Sequence, residues 1–403
     1  MGIESVAPEI MKHLKYLPLC VGASVLAFGA GACFQRTSTP TGAPQSVASA
    51  QGNSSPAAKT SAPIRTADDL AQLGSTFAQI ARKVTPAVVN IQAVKVQPGR
   101  VYQDPFGGEG FGGRLFREPD QRSQSIGSGV IIDAKGLIIT NNHVAGGATQ
   151  LTVTLPDRRR FPAKLLGADA ASDVAVLKID GANLPTLSFA DSDKLDVGDI
   201  VLAVGSPFNL SNTVTQGIIS AKGRRDLGIS AYEDFLQTDA AINPGNSGGA
   251  LVDIHGDLVG INTAILSESG GNQGIGLAIP SNLARSIAAQ LAQTGRVTRG
   301  WLGVVVEPLT GDVADRLGLK NQSGVLVTGL YGNAPAAQIP WSERGTDVIL
   351  SANDAPVDSP GDLRNIVAAL KPGASLKLHV WADGQTKDYS VNVATRPARA
   401  QGV

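Results

Sequence analysis

Cysteine is nearly absent from this chain of 403 residues, since only Cys20 and Cys33 occur and both lie near the N-terminus. A zinc site built on cysteines, a disulfide framework and a catalytic cysteine–histidine pair all require cysteines within a folded domain. These three kinds of site are therefore excluded, and the sequence offers no set of metal ligands. No cofactor is expected either.

The chain also lacks an excess of either charge, because 34 basic residues balance 34 acidic ones. A protein that binds nucleic acid by neutralising phosphates normally carries a basic excess, so we expect no nucleic acid among the partners. Apolar residues make up 42% of the chain, enough for packed cores, and the length predicts two globular domains.

Residues 1–35 have the composition of an export segment. Lys12 and Lys15 precede an uncharged, moderately apolar run from Tyr16 to Gln35, and Ala30-Gly31-Ala32 has the small-x-small form of a cleavage site. Three interpretations fit this segment: a cleaved signal peptide, a retained membrane anchor, or a lipoprotein signal that ends at Cys33. All three place the rest of the protein outside the cytoplasm.

The remaining sequence divides into three parts. Residues 36–65 are rich in proline, serine, threonine, alanine and glycine and are expected to form a flexible linker. Residues 66–295 begin with helical spacing over 67–83 and continue as many short β-branched runs between turn residues, such as 137–140, which predicts an all-β barrel or sandwich domain. A second helix is predicted over 281–294, with Ser281 as its N-cap and Gly295 just past its end. Residues 298–397 contain five predicted strands, one of them over 348–352, and a helix over 360–370, which is typical of a small α+β domain.

Three polar residues in residues 66–295 carry a pattern of catalytic chemistry. His143 follows a buried strand-like run, where a side chain is held rigidly yet stays accessible, as a general base requires. Asp173 begins another apolar run, and Ser247 lies among glycines that permit a sharp turn with converging backbone amides. Each residue alone also fits an ordinary role: a packed or surface histidine, a strand-start cap and a Gly-Ser turn.

The order of these residues separates two hydrolase folds. His143, Asp173 and Ser247 follow the order of chymotrypsin-type proteases. The Gly245-x-Ser247-x-Gly249 motif also matches the nucleophile elbow of α/β-hydrolases, but that fold needs an acid and then a histidine after the serine. Only His255, eight residues on, and His379, in the other domain, follow Ser247, so the α/β-hydrolase interpretation fails.

Three segments together resemble the HtrA/Deg family of extracytoplasmic serine proteases: residues 140–144 (TNNHV), 172–177 (SDVAVL) and 237–251 (QTDAAINPGNSGGAL). Residues 299–304 (RGWLGV) resemble the start of that family's PDZ domain, and residues 339–347 depart from its usual turn, which leaves the peptide preference open. The resemblance covers about residues 66–397. It implies a chymotrypsin-like double β-barrel protease domain over 66–295 and a PDZ domain over 298–397.

The family resemblance implies a role for each matching residue. Ser247 is the expected nucleophile, His143 the general base and Asp173 the residue that orients His143, and the oxyanion hole is expected at Gly245, Asn246 and Ser247. The primary specificity pocket is expected to favour small or medium aliphatic side chains, because no acid occurs among its matching residues, which are Ala241, Ile242, Ile275, Gly276 and Leu277.

The resemblance extends to regulation and partners. Peptide C-termini are expected to bind at Trp301, Leu302, Gly303 and Val304 of the PDZ domain. The Gly-Phe-rich segment 98–125, with Phe106 and Phe111, resembles the family's regulatory loop, and Arg224 occupies the position of a relay arginine, with Arg225 as a neighbouring candidate. A solvated basic loop is the alternative for these arginines. The family also implies a homotrimer or a multiple of trimers.

Two functional hypotheses follow from the sequence. The first is an ATP-independent serine endopeptidase that degrades unfolded or damaged extracytoplasmic proteins, and the lack of a Gly-x-x-x-x-Gly-Lys-Ser/Thr phosphate-binding loop agrees with ATP independence. The second is a binding or chaperone module whose triad is vestigial or switched off. The complete set of His143, Asp173 and Ser247 favours the first hypothesis.

Overall fold

The computed structural model describes residues 66–99, 101–103, 115–117, 119–207, 212–265, 273–319, 323–342 and 345–397. The predicted export segment, the predicted linker up to residue 65, and Phe106 and Phe111 lie outside these residues. Across the described ranges, no helix is both long enough and apolar enough to cross a membrane.

The first element is helix α1 (Ala67–Val84), which the sequence predicted over 67–83. Thr66 and Asp69 form a capping box at its start, and Thr85-Pro86 follow its end. Ile80 and Val84 are buried in the main hydrophobic core, so this helix is fixed to the β domain through one apolar face.

The first half of the β domain is a seven-stranded antiparallel sheet in the order β7-β6-β1-β4-β5-β9-β8. Its buried side chains, among them Ile91, Ile138 and Leu177, form a separate core cluster. The strands are β1 (Val88–Gln97), β4 (Gln121–Asp133), β5 (Leu137–Asn141), β6 (Gln150–Thr154), β7 (Arg160–Pro162), β8 (Lys164–Asp169) and β9 (Val174–Lys178).

The segment between β1 and β4 is shorter than the predicted loop over 98–125. The β1–β4 ladder continues to the pair Gln97 and Gln121, so residues 121–125 belong to a strand. Two further short strands, β2 (Val101–Gln103) and β3 (Leu115–Arg117), pair with each other between them.

The second half of the β domain is a closed six-stranded barrel in the order β10-β11-β12-β15-β14-β13. Its strands are β10 (Ile200–Gly205), β11 (Thr213–Arg224), β12 (Phe235–Thr238), β13 (Ala250–Val252), β14 (Leu258–Ile265) and β15 (Gly276–Pro280). A short helix, α2 (Asn142–Ala145), follows β5 in the first half, and α3 (Ser281–Thr294) follows the barrel.

Helix α3 begins and ends at the predicted residues, but its N-cap differs from the prediction. Gly295 ends the helix in the left-handed conformation, as predicted. The N-cap is Pro280 rather than Ser281, and the Ser281 hydroxyl instead donates a hydrogen bond to the carbonyl oxygen of Ala190. The serine therefore fixes the helix to the barrel and does not cap it.

The C-terminal region from Thr298 is an α+β domain with its own hydrophobic core, which includes Leu302, Val325 and Leu376. The main sheet has the order β17-β18-β19-β21-β22, with β20 beside β19, and β16 pairs with β23. The elements are β16 (Gly300–Trp301), β17 (Val304–Pro308), α4 (Gly311–Arg316), β18 (Val325–Leu330), β19 (Val348–Ala352), β20 (Ala355–Pro356), α5 (Pro360–Ala369), β21 (Ser375–Ala382), β22 (Gln385–Asn392) and β23 (Ala394–Thr395).

Polar side chains join the C-terminal domain to the β domain. Arg299 donates two hydrogen bonds to the Asp169 carboxylate, at 2.8 and 2.6 Å, and its guanidinium lies 4.3 Å from the ring centroid of Tyr232. Arg396 donates to the Tyr232 hydroxyl. On the neighbouring loop, Arg225 forms ion pairs with Asp234 and with Asp362 of α5.

The Arg299–Asp169 pair is expected to stabilise the fold at neutral pH. Burial alone would raise the pKa of Asp169, but hydrogen bonds from Arg299 and Ser172 hold that pKa below its usual value of 3.8. Because the pKa is lowered in the folded state, the stabilisation is present above pH 3.8 and is lost as the pH falls below it. Both side chains are nearly 90% buried, so the solvent screens this pair little.

Replacing Arg299 by methionine should leave the Asp169 carboxylate buried and unpaired, which typically costs about 3–5 kcal/mol. We expect Arg299→Met to lower the melting temperature at pH 7 by several degrees, measured by differential scanning calorimetry, and the loss to shrink below pH 4. Arg296→Met, at an exposed neighbouring arginine, is the matched control. Equal melting temperatures for the two variants would contradict a stabilising role for the pair.

Candidate active site

His143 and Asp173 lie side by side because their two strands are hydrogen-bonded neighbours. The β5–β9 ladder pairs Asn141 with Val174, which brings the ends of these strands together although 30 residues separate the two side chains. The His143 Nδ1 atom lies 2.7 Å from Asp173 Oδ2, and the His143 backbone N–H donates to Asp173 Oδ1 at 2.9 Å. The carboxylate thus fixes both the ring and the backbone of the histidine.

The environments of the two side chains differ. The His143 side chain is 49% exposed and the Asp173 side chain is 13% exposed. Asp173 adopts a positive φ of 58°, a conformation that aspartate tolerates better than most residues, and this turns its carboxylate back towards α2. The histidine is therefore accessible to a polypeptide, whereas its carboxylate partner is shielded.

Two further residues, which the sequence alone did not single out, support Asp173. The Thr263 hydroxyl donates to Asp173 Oδ2 at 2.7 Å, and the Asn141 side-chain amide donates to both the Asp173 carbonyl and the Thr263 hydroxyl at 3.1 Å. Thr263 is a polar residue that stays buried in β14. No sequence signal distinguishes Thr263, because a threonine in a β-strand is common and only its burial marks it.

Ser247 lies in the tight loop that joins β12 to β13. Gly245 and Gly248 have positive φ values of 99° and 83°. A Cβ atom on Gly245 would lie 2.6 Å from Pro207 Cβ, and one on Gly248 would lie 2.2 Å from the carbonyl oxygen of Ser128, so both positions require glycine. Ser247 itself is half-buried at the surface of this loop.

The Ser247 loop meets the segment that carries His143 across strand β4. The Ser128 backbone N–H donates to the Ser247 carbonyl oxygen at 2.8 Å. A Cβ atom added to Gly127 would lie 3.1 Å from that same oxygen and 2.6 Å from Val144, the residue after His143. Gly127 of β4 therefore lies between the Ser247 loop and helix α2, which carries His143.

The predicted specificity-pocket residues occupy two places. A Cβ atom on Gly276 would lie 2.8 Å from Ile242 Cδ1, so these two residues face each other, and Thr215 fixes the Ala241 carbonyl with a 2.8 Å hydrogen bond. Ile275 is half-buried beside them. Leu277 is fully buried in the main hydrophobic core, where it packs with barrel side chains.

The two candidate relay arginines have different partners. Arg224 Nε donates to Gln237 Oε1 within the barrel at 2.7 Å. Arg225 contacts the C-terminal domain through its ion pair with Asp362, and Asp226 accepts a hydrogen bond from the Gly361 N–H. Of the two candidate arginines, Arg225 therefore contacts the second domain, and so does the next residue, Asp226.

A groove runs between β17 and α5 of the C-terminal domain, and the predicted carboxylate-binding residues line it. Gly303 has a φ of 79°, and a Cβ atom there would lie 2.2 Å from Ala334 Cβ. The ring of Trp301 packs edge-on against Tyr331, with centroids 5.7 Å apart. Trp301, Leu302, Gly303, Val304, Leu363 and Val367 line this groove, together with Arg364, Arg396 and Tyr232.

Comparison with known proteins agrees with this geometry. Residues 127–261 match the trypsin-like peptidase domain family. The chain is 42% identical to a probable periplasmic serine endoprotease DegP-like of Chlamydia pneumoniae over 81% of this chain and 70% of that protein. It is also 42% identical to the protein of the same name of Ectopseudomonas mendocina, over 81% and 72% of the two chains.

The solved structures with a similar fold are also proteases. The HtrA-type protease AlgW with a tripeptide superposes with a TM-score of 0.67 and 43% identity, covering 80% of this chain and 98% of that one. A serine endoprotease from Yersinia pestis gives a TM-score of 0.56 with 36% identity, covering 80% and 98%. The predicted all-β, chymotrypsin-like fold is confirmed, and the chain belongs to the HtrA and DegP-like family of serine endoproteases.

Proposed function

We propose that this protease cleaves unfolded or damaged extracytoplasmic polypeptides without ATP, through an acyl-enzyme formed on Ser247. The observation that carries this proposal is the pair of hydrogen bonds that Asp173 makes to His143, one to Nδ1 and one to the backbone N–H. A carboxylate held on Nδ1 leaves Nε2 as the ring atom that accepts a proton from a serine.

The proposed reaction assigns one step to each of these residues. Ser247 Oγ attacks the scissile carbonyl while His143 takes its proton, and His143 then returns that proton to the leaving amine. The backbone amides of Gly245 and Ser247, with Asn246 between them, are the proposed donors to the oxyanion, and loss of one such donor typically costs about 10²–10³ in rate. Water then hydrolyses the acyl-enzyme on the same serine.

The proposed substrate preference comes from the Ala241, Ile242 and Gly276 region. Ile242 faces Gly276 closely, and no acidic residue occurs among the proposed pocket residues, which include Ile275 and Leu277. Such an apolar site favours a small or medium aliphatic side chain such as valine or alanine before the cleaved bond. A preference for lysine or arginine would need a carboxylate there.

A fluorophosphonate probe tests the proposed nucleophile directly. The probe should form a covalent adduct on the full-length protein, and peptide mass spectrometry should locate that adduct at Ser247 among all serines of the chain. Preincubation with the probe should remove casein cleavage. An adduct at another serine, or unchanged cleavage after complete labelling, would refute the assignment.

We also propose that residues 298–397 form a PDZ domain that binds peptide C-termini. A glycine with positive φ at 303 lies between Leu302 and Val304, where backbone amides capture a terminal carboxylate in such domains. Arg364 and Arg396 line the same groove and donate to neutral oxygens, of Ala231 and Tyr232. Within the described part of the chain neither has a carboxylate partner, so the groove favours an anionic terminus.

A peptide with a free C-terminus should therefore bind at least tenfold more tightly than the same peptide with a C-terminal amide. Tryptophan fluorescence provides the readout, because all three tryptophans lie at 301, 341 and 381 and Trp301 lines the groove. If binding is coupled to proteolysis, the free peptide should also raise turnover. Equal affinity of the two peptides would contradict carboxylate capture, and a fluorescence change with flat turnover would contradict the coupling.

The proposed route for that coupling is the contact between α5 and the 224–234 loop. Asn365 of α5 donates to the Glu233 carbonyl at 2.6 Å, and Arg225 pairs with Asp362. Arg224 and the loop with Phe106 and Phe111 remain candidate regulatory residues, as the family resemblance suggests. The assembly proposed on the same basis is a homotrimer or a multiple of it.

The proposed location is the periplasm or bacterial envelope, since the relatives are named periplasmic enzymes. Residues 1–35 are the proposed export segment, either cleaved, retained as an anchor or lipidated at Cys33, followed by a linker over 36–65 and the protease domain over 66–295. Mass spectrometry of the mature N-terminus distinguishes these forms by mass and by the first residue.

A further inference from the structure

Ser128 of β4 is a fully buried serine with four hydrogen bonds around the Ser247 loop. Its hydroxyl donates to the Gly245 carbonyl oxygen at 2.6 Å and accepts from the Ser206 N–H at 2.8 Å. Its backbone N–H donates to the Ser247 carbonyl oxygen at 2.8 Å, and its carbonyl oxygen accepts from the Thr140 hydroxyl at 2.7 Å. No step of the proposed mechanism uses this residue.

We propose that Ser128 is a positioning residue that fixes the oxyanion loop, defined as residues 245–247, in its donating conformation. Ser128 contacts both ends of this loop, through the carbonyls of Gly245 and Ser247. The Asn246–Ser247 peptide unit, whose N–H is a proposed oxyanion donor, lies between these two anchored carbonyls. Fixing the peptide planes on either side limits rotation of the donor between them.

The groups around the Ser128 hydroxyl determine that it donates its hydrogen bond to the Gly245 carbonyl oxygen. Because the Ser206 N–H occupies a lone pair of the Ser128 oxygen, the hydroxyl hydrogen is left to donate to Gly245. Ser206 is held in turn by the Asn90 side-chain amide, which donates to its carbonyl oxygen at 2.7 Å. The chain of bonds from Asn90 through Ser206 to Ser128 therefore ends at the oxyanion loop.

The loop's other hydrogen bonds do not replace this anchor. Asn246 N–H donates to the Asn243 carbonyl, and Gly249 N–H donates to the Asn246 carbonyl, both at 2.9 Å and both within the same turn. These two bonds close the turn on itself, and the Gly248 N–H, which donates to the Asn262 carbonyl oxygen at 2.7 Å, ties the turn to β14 of the same barrel. Ser128 belongs to the seven-stranded sheet and so ties the turn to the other half of the β domain, where His143 and Asp173 lie.

Electrostatic stabilisation of an oxyanion depends on donors that are already in place before the reaction. Loss of the Ser128 hydroxyl should therefore affect the transition state more than the binding of substrate. This inference depends on the proposed roles of Gly245 and Ser247 as oxyanion donors.

The test compares Ser128→Ala with Ser281→Ala in the full-length protein. Ser281 is also fully buried and its hydroxyl also donates to a backbone carbonyl, that of Ala190, at the start of α3. For Ser128→Ala we expect kcat on a peptide substrate to fall by about 10²-fold with KM changed less than twofold. The inhibition constant of a peptide aldehyde, which forms an oxyanion on the enzyme, should rise by the same factor.

Ser281→Ala should lose thermal stability to a similar degree and keep its kcat. The positioning role is overturned if Ser128→Ala keeps kcat within twofold of the parent, or if both variants lose activity equally. If Ser128→Ala fails to fold, Ser128→Cys takes its place, since a thiol keeps the volume but donates weakly. A cysteine variant with full kcat and unchanged aldehyde affinity would likewise overturn the proposal.

Ser247→Ala separates this inference from the proposed function. Full activity of Ser247→Ala would defeat the proposed nucleophile and the inference with it. An inactive Ser247→Ala together with a fully active Ser128→Ala would defeat only the positioning role.

Discussion

Ser247→Ala is expected to abolish cleavage of β-casein, with kcat falling by about 10⁶-fold, because no other group on the loop supplies a nucleophile. The change removes a single oxygen from a half-buried side chain, so the fold should be kept. Gel analysis of casein digestion, followed by kinetics on a cleaved peptide, measures the loss. Removing the serine should also remove any burst of acyl-enzyme.

The matched control for this variant is Ser281→Ala, which makes the same chemical change far along the chain. Both proteins should show the same circular dichroism spectrum, while only the control digests casein. Casein digestion at parental rate by Ser247→Ala would exclude Ser247 as the nucleophile. A binding or chaperone function would then become the better hypothesis.

Asp173→Asn is expected to lower kcat by about 10⁴-fold while leaving the fold intact. Both carboxylate oxygens of Asp173 accept hydrogen bonds, Oδ1 from the His143 backbone N–H and Oδ2 from the His143 ring and the Thr263 hydroxyl. An amide must place its NH₂ group at one of these oxygens. At the Oδ1 position the NH₂ group would face the His143 backbone N–H, a donor that cannot become an acceptor.

The NH₂ group should therefore take the Oδ2 position, where the Thr263 hydroxyl and the imidazole can both turn round to accept. The ring proton then moves to Nε2, and His143 can no longer take a proton from Ser247. Asp180→Asn, at an exposed acid paired with Lys178, is the control and should keep kcat within about twofold. An Asp173→Asn enzyme within tenfold of the parent would contradict the orienting role.

Much of the β framework could be predicted because buried strands contain consecutive β-branched residues. The run at 348–352 matches β19 at both ends, and the run at 137–140 differs from β5 by one residue. Strands with ordinary composition were not predicted. In β8, Gly167 and Asp169 interrupt the pattern, and this strand exists because β9 supplies its hydrogen-bond partners.

The candidate site was predictable where a residue type has few alternative uses, and less so elsewhere. Four histidines in the chain made His143 easy to select, and the order of three residues identified the fold. The closeness of His143 to Asp173 depends on the β5–β9 ladder, a long-range pairing that no local pattern encodes. Ser128 and Thr263 were missed because a serine or threonine in a strand is common, and only its burial marks these two.

The joint between the two domains consists of charged and aromatic side chains. The ion pair between Arg225 and Asp362 of α5 crosses this joint, and the Arg225 side chain is 33% exposed, so salt should screen this pair. Arg299 is only 11% exposed and stacks on Tyr232, so its pair with Asp169 should persist under the same conditions. Rising ionic strength should therefore weaken the Arg225–Asp362 contact before it weakens the Arg299–Asp169 contact, so the two sides of the joint differ in their sensitivity to salt.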